Sequence, residues 1–78
     1  MANPITIDPD ILGGTPVFTG TRVPIESLFD HLADGISLDE FLDDFPSVSR
    51  QIAVEVLNLT EHLLLASIFA NVNEISSR

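Results

Sequence analysis

Residues 24–50 read PIESLFDHLADGISLDEFLDDFPSVSR, and the spacing of their apolar side chains decides the fold. Ile25, Leu28, Phe29 and Leu32 fall at i, i+3, i+4 and i+7, the stripe of a helix that buries one face. Pro24 suits the first turn of that helix, where a missing N–H costs nothing. Asp34-Gly35 closes it, with Gly35 as the left-handed cap. Ser37 opens a second helix and stands three residues before Glu40, the spacing of a capping box. Leu38, Phe41, Leu42 and Phe45 repeat the stripe until Pro46 stops it. Ser49 then caps a third helix, expected to run from Arg50 to Ala70 or Asn71. Helices joined by turns this short have the shape of a helix-turn-helix unit.

Upstream, residues 1–23 read as a β-like arm. Ile5-Thr6-Ile7 alternates in the manner of a short strand, and Asp8-Pro9-Asp10 and Gly13-Gly14 break it. Val17-Phe18 and Arg22-Val23 flank Thr19-Gly20-Thr21, which predicts a tight hairpin turning at Gly20. The glycines of GGTPVFTGTRVP are structural. A phosphate-binding loop needs a lysine after its second glycine, where this chain has Thr21-Arg22, and Pro16 removes an N–H from the cradle. The expected fold is therefore mostly α: a short N-terminal strand and hairpin, then a three-helix unit with a long C-terminal helix. One domain covers 1–78, with the arm over 1–23, the helical unit over 24–71 and a flexible tail over 72–78.

The 78 residues hold 12 acids against 3 arginines and no lysine, for a net charge of −9. Nucleic-acid affinity comes mostly from Lys and Arg on phosphates, so this balance argues against unaided binding to DNA or RNA and for a basic protein partner. There is no cysteine, hence no disulfide and no thiol-zinc site. The N-terminus lacks the basic and apolar regions of a secretory signal. The longest apolar run, Leu63 to Ala70, is broken by Ser67 and falls short of a bilayer span. The expectation is a cytoplasmic protein without membrane association.

The ordered elements Asp8-Pro9, Gly13-Gly14-Thr15-Pro16, Gly20-Thr21-Arg22-Val23-Pro24, Gly35-Ile36-Ser37 and Phe45-Pro46 resemble the domain-of-unknown-function family 433 over roughly residues 5–60. In that pattern Gly14, Pro16, Gly20, Thr21, Arg22, Gly35 and Pro46 are the structural positions. Beyond Pro46 the chain departs from it, with Glu55 and Leu59 where members often carry an alanine-rich helix with an aromatic. The resemblance implies a helix-turn-helix antitoxin, often paired with a PIN-like ribonuclease toxin. The residues themselves offer no catalytic constellation, so no enzyme and no cofactor are expected. A helix-turn-helix DNA-binding regulator, acting alone or autoregulating with its toxin, is one alternative. A structural adaptor dimer is another.

Three sets of residues are candidates for contact. In the helix-turn-helix arrangement, Ser47, Ser49, Arg50, Gln51 and Val54 would face DNA, and Arg50 and Gln51 suit guanine and adenine. Asp39, Glu40, Asp43 and Asp44 lie where phosphates would come and repel them, so DNA is expected to bind only weakly or as a toxin complex. These four instead suit a basic partner, and one would relieve the i,i+4 repulsion of 39/43 and 40/44. On the third helix the polar stripe Gln51, Glu55, Asn58, His62 runs on into Leu65, Ala66 and Phe69. LLLASIFA is thus apolar almost all round, which predicts a homodimer or partner interface at Leu64, Leu65, Ile68 and Phe69. Arg78, at the chain's end, is a further candidate for reaching a toxin's metal-binding carboxylates. Arg22 is expected to pair with Asp8, Asp10 or Glu26, or else to meet a partner protein or phosphate. His31 shares a polar side of its helix with Ser27, Asp30 and Asp34 and reads as a surface histidine, not a triad member. No spacing of His31 or His62 supplies three metal ligands.

Overall fold

The computed structural model describes residues 3–76, with side chains described through Asn71. Two short strands, β1 (Ile5–Thr6) and β2 (Val17–Phe18), precede three helices: α1 (Ile25–Ala33), α2 (Leu38–Asp44) and α3 (Arg50–Ser76). The fold is mostly α, as the stripes predict. The strands pair antiparallel, Ile5 opposite Phe18 and Thr6 opposite Val17.

The local hairpin expected around Gly20 forms as well, along the other edge of β2. The turn itself forms: Gly20 has φ +82°, the Thr21 N–H donates to the Phe18 carbonyl, and the Phe18 N–H donates to the Val23 carbonyl. Residues 22–23, however, build no strand, and only an isolated bridge joins Val17 to Pro24. The other edge of β2 takes a partner from farther off, which local reading did not provide. The Thr19 hydroxyl donates to the Asn3 carbonyl over 2.7 Å, which leaves its oxygen to accept from the Thr6 hydroxyl, also at 2.7 Å. Thr21 locks the turn from within, its Oγ1 donating to the Phe18 carbonyl and accepting from the Val23 N–H. The Pro16 carbonyl accepts from the Ile25 N–H, so the arm is tied directly to the start of α1.

The α1–α2 turn follows from chain chemistry. Gly35, at φ +81°, donates to the Leu32 carbonyl and Ile36 donates to that of His31. These are the two bonds that satisfy a helix end when the next residue can go left-handed. Ser37 Oγ accepts the Glu40 N–H at 3.1 Å, the forward half of the expected box. Ser49 caps α3 in the same way through the Ile52 N–H. Past Asn71 the sequence offers neither glycine nor proline to end α3, and the helix continues to Ser76.

All three helices face one small core of Val17, Phe18, Ile25, Leu28, Phe41, Val48, Ala53 and Val56. Phe41 sits among three aromatic rings: Phe18 from the arm at 6.0 Å, Phe45 at 4.9 Å and the imidazole of His31 at 5.2 Å. A core this size supplies only about 3–5 kcal/mol net, and cutting a buried Phe to Ala costs about 3–5. Phe41→Ala is therefore expected to leave the domain largely unfolded at 25 °C by circular dichroism. Leu63→Ala, out on the exposed helix, should shift the urea midpoint by less than about 0.5 kcal/mol equivalent.

Candidate protein-interaction surfaces

Each helix that builds the core also carries an outward face, and these faces are the candidates. On α2, Phe41 points inward and Asp39, Glu40, Asp43 and Asp44 are all exposed. Asp39 is ion-paired within the domain, while Asp44 only stands near a histidine ring, with no hydrogen bond to it. Asp39 pairs with the guanidinium of Arg50, linking α2 to the first turn of α3. Asp44 lies 3.5 Å from Nε2 of His31. Glu40 and Asp43 make no ion pair among the described residues, so they are the acids left for a partner.

His31 is not the free surface histidine expected from its helix position. Its side chain is 22 % exposed and stands edge-on to Phe41 and to Phe45, at 5.2 and 5.5 Å. Nδ1 donates to the Ser27 backbone carbonyl at 2.7 Å, not to the serine hydroxyl. The ring is a wedge between α1 and α2, because α2 crosses beside the edge of the α1 stripe. Arg22 also departs from expectation: it is exposed and forms no salt bridge with Asp8, Asp10 or Glu26.

The candidate DNA-reading surface is reduced by the same contacts. Gln51 and Val54 are exposed on α3. Arg50 is held by Asp39, and the Ser49 hydroxyl is spent on its cap. A cation already paired with a carboxylate releases few counterions on meeting phosphate.

The second surface is the far part of α3. Ala53 and Val56 are buried and Ile52 and Leu57 pack against the core, yet every residue from Glu61 to Asn71 is exposed. Leu63 is 64 % exposed, Leu64 58 %, Leu65 42 %, Ile68 45 % and Phe69 64 %. The helix does not fold back on its own domain. By length and composition α3 from Arg50 to Asn71 is also long and apolar enough to cross a membrane, which corrects the expectation drawn from uninterrupted apolar runs alone. The part free of the core is shorter. Residues 61–71, all exposed, rise about 16 Å at 1.5 Å per residue, against about 30 Å of hydrocarbon.

Sequence reasoning missed Ile7 and Leu12, both exposed in the β1–β2 connection. Leu12 adopts φ +48°, left-handed backbone rarely taken by a side chain of this kind. The only signal for it was its place beside the Gly13-Gly14 break. Arg78 lies outside the described residues.

The profile of the family described as "Protein of unknown function (DUF433)" matches residues 5–59, from β1 through the core-packed half of α3. The chain belongs to this family. It is 39 % identical over 74 residues to "Uncharacterized protein y4eO" of Sinorhizobium fredii, covering 95 % of this chain. It spans only 29 % of that relative's length. It is also similar to the crystal structure of a DUF433 member protein from Anabaena variabilis, with a TM-score of 0.66 and 27 % identity. That match covers 77 % of this chain and 59 % of the other.

Because Arg50 is paired and the α2 carboxylates border it, the isolated protein is expected to show no sequence-specific DNA binding near physiological salt. Nanomolar operator binding that Arg50→Ala abolishes would overturn this. Asp39→Asn, which breaks an exposed pair, should cost less than about 1 kcal/mol in a denaturant titration.

Proposed function

We propose that this DUF433 domain is a non-catalytic, antitoxin-like binding protein that dimerises and holds a cognate PIN-like ribonuclease toxin. The supporting observation is the exposed, apolar half of α3, an expanse that small soluble domains seldom leave uncovered. The nuclease partner rests on the family resemblance. Electrostatics agrees with it. A ribonuclease concentrates cations around the cleft that holds RNA, and a chain of net charge −9 is drawn to such a rim. Glu40 and Asp43, which make no ion pair among the described residues, are the carboxylates we assign to meet it. They act chiefly on association rate and salt dependence, while buried apolar contact sets the lifetime of the complex.

The regulator reading is weaker on this surface, because its best base-reading side chain is engaged with Asp39. An autoregulatory complex remains compatible, since a basic toxin would bring the cations that this chain lacks.

Co-expression with the product of the adjacent reading frame tests the proposal through growth and ribonuclease activity. The expected result is a copurifying basic nuclease whose toxicity this protein suppresses. Glu40→Gln with Asp43→Asn should slow association roughly tenfold at low salt and flatten its salt dependence, leaving the fold intact. A neighbour that is not a nuclease, or toxicity unchanged by this protein, would refute the antitoxin role.

A further inference from the structure

We infer that the free half of α3 is covered by a second copy of this chain, as an antiparallel helix pair whose two-fold axis passes between Ala66 and Ser67. The inference rests on the dimer reading above and adds its face, register and direction.

The face comes from exposure. Val54, Asn58, Glu61, Leu65 and Ile68 alternate at intervals of four and three residues, which lines them up along one side of the helix. All five are exposed, from the core-packed half outward. The domain therefore leaves that side of α3 clear along its length. The opposite side is the one that turns to the core at Ile52, Ala53 and Val56. Leu63 and Ala70 continue that side, and a partner helix laid along it would run into the domain at the core-packed half of α3.

Register comes from symmetry. Leu64, Leu65, Ile68 and Phe69 are arranged evenly about the Ala66–Ser67 midpoint. A two-fold there sets Leu65 of each chain opposite Ile68 of the other, with Leu64 and Phe69 flanking the seam. A two-fold contact has to be self-complementary in this way. At roughly 150–200 Å² for a bare side chain of this kind, these four residues, 42–64 % exposed, present on the order of 400 Å² per chain. With the flanking Glu61, His62 and Asn71, two copies bury roughly 1,000 Å², where specific interfaces begin.

Charge selects both occupant and direction. From Leu63 to Asn71 the helix carries no ionisable side chain. It therefore offers a basic partner no electrostatic reward, and a second acidic copy no penalty. The α2 carboxylates lie beside Arg50, about 20 Å down the helix from Leu63. A parallel pair would set Glu61 against Glu61 and bring two strongly acidic heads abreast. An antiparallel pair puts Glu61 opposite neutral positions and the heads at opposite ends, beyond a Debye length of about 8 Å.

The chain has no cysteine, so one spin label can be placed at Glu55→Cys, on the exposed side of α3, without touching the seam. Sedimentation should give a dimer at micromolar concentration. Electron-electron distance measurement should give about 35 Å between labels, twice the helical rise from Glu55 to the midpoint. Leu65→Glu should yield a folded monomer, and Leu63→Glu, on the other face, should stay dimeric. A wild-type monomer would overturn the dimer reading and the pairing together. A dimer with labels within about 20 Å would overturn only the antiparallel arrangement. A dimer that survives Leu65→Glu but not Leu63→Glu would overturn the assigned face.

Discussion

The packing of Phe41 is the contact on which the rest of this domain depends. α2 is only seven residues long, too short to persist alone. Phe41 gives it a place in the structure by meeting the arm through Phe18 and α1 through His31. The arm is equally dependent, since two paired residues on each strand make no independent sheet. What holds it is Phe18, fully buried against Phe41, and the threonine bonds that bring Asn3 and Thr6 to the turn. The short elements thus stabilise one another through shared side chains, and none of them is a unit in its own right.

Helical spacing made most of this legible in the sequence. The stripes of α1 and α2 name the residues that pack, and Gly35 and Ser37 mark the turn between them through backbone chemistry alone. Pairing between distant segments was not legible. Val17-Phe18 meets residues 23–24 along one edge, as local reading expects, and Ile5-Thr6 along the other, through pairing and hydroxyl bonds that no periodicity reports. His31 shows the same blindness in another form. A helical wheel puts it at the margin of a stripe, and only the path of α2 turns that margin into a wedge site. The apolar surface of α3 could be foreseen because it follows from one helix and its own residues. The engagement of Arg50 by Asp39 could not, because it depends on how two helices cross.

A three-helix outline and the chemistry of DNA reading are separable, and this chain has the first with little of the second. The turn at Gly35 and the crossing of α2 and α3 need only apolar stripes and caps. Reading DNA needs uncompensated cations around the third helix, where this protein places carboxylates. Membership of the family accordingly speaks to the scaffold.

The continuity of α3 has a consequence for its dynamics. One unbroken helix runs from Ala53 and Val56, buried in the core, to residues 61–71 with no tertiary support. A bare segment of that length is near the limit of what helical propensity sustains in water. Amide exchange along the helix should therefore be graded, slow where the core must open and fast where the free end can fray. Any molecule that covers the free end must first hold it in helical form, so recognition there includes the completion of folding. The affinity of the surface is then set in part by how often the uncovered helix is already formed.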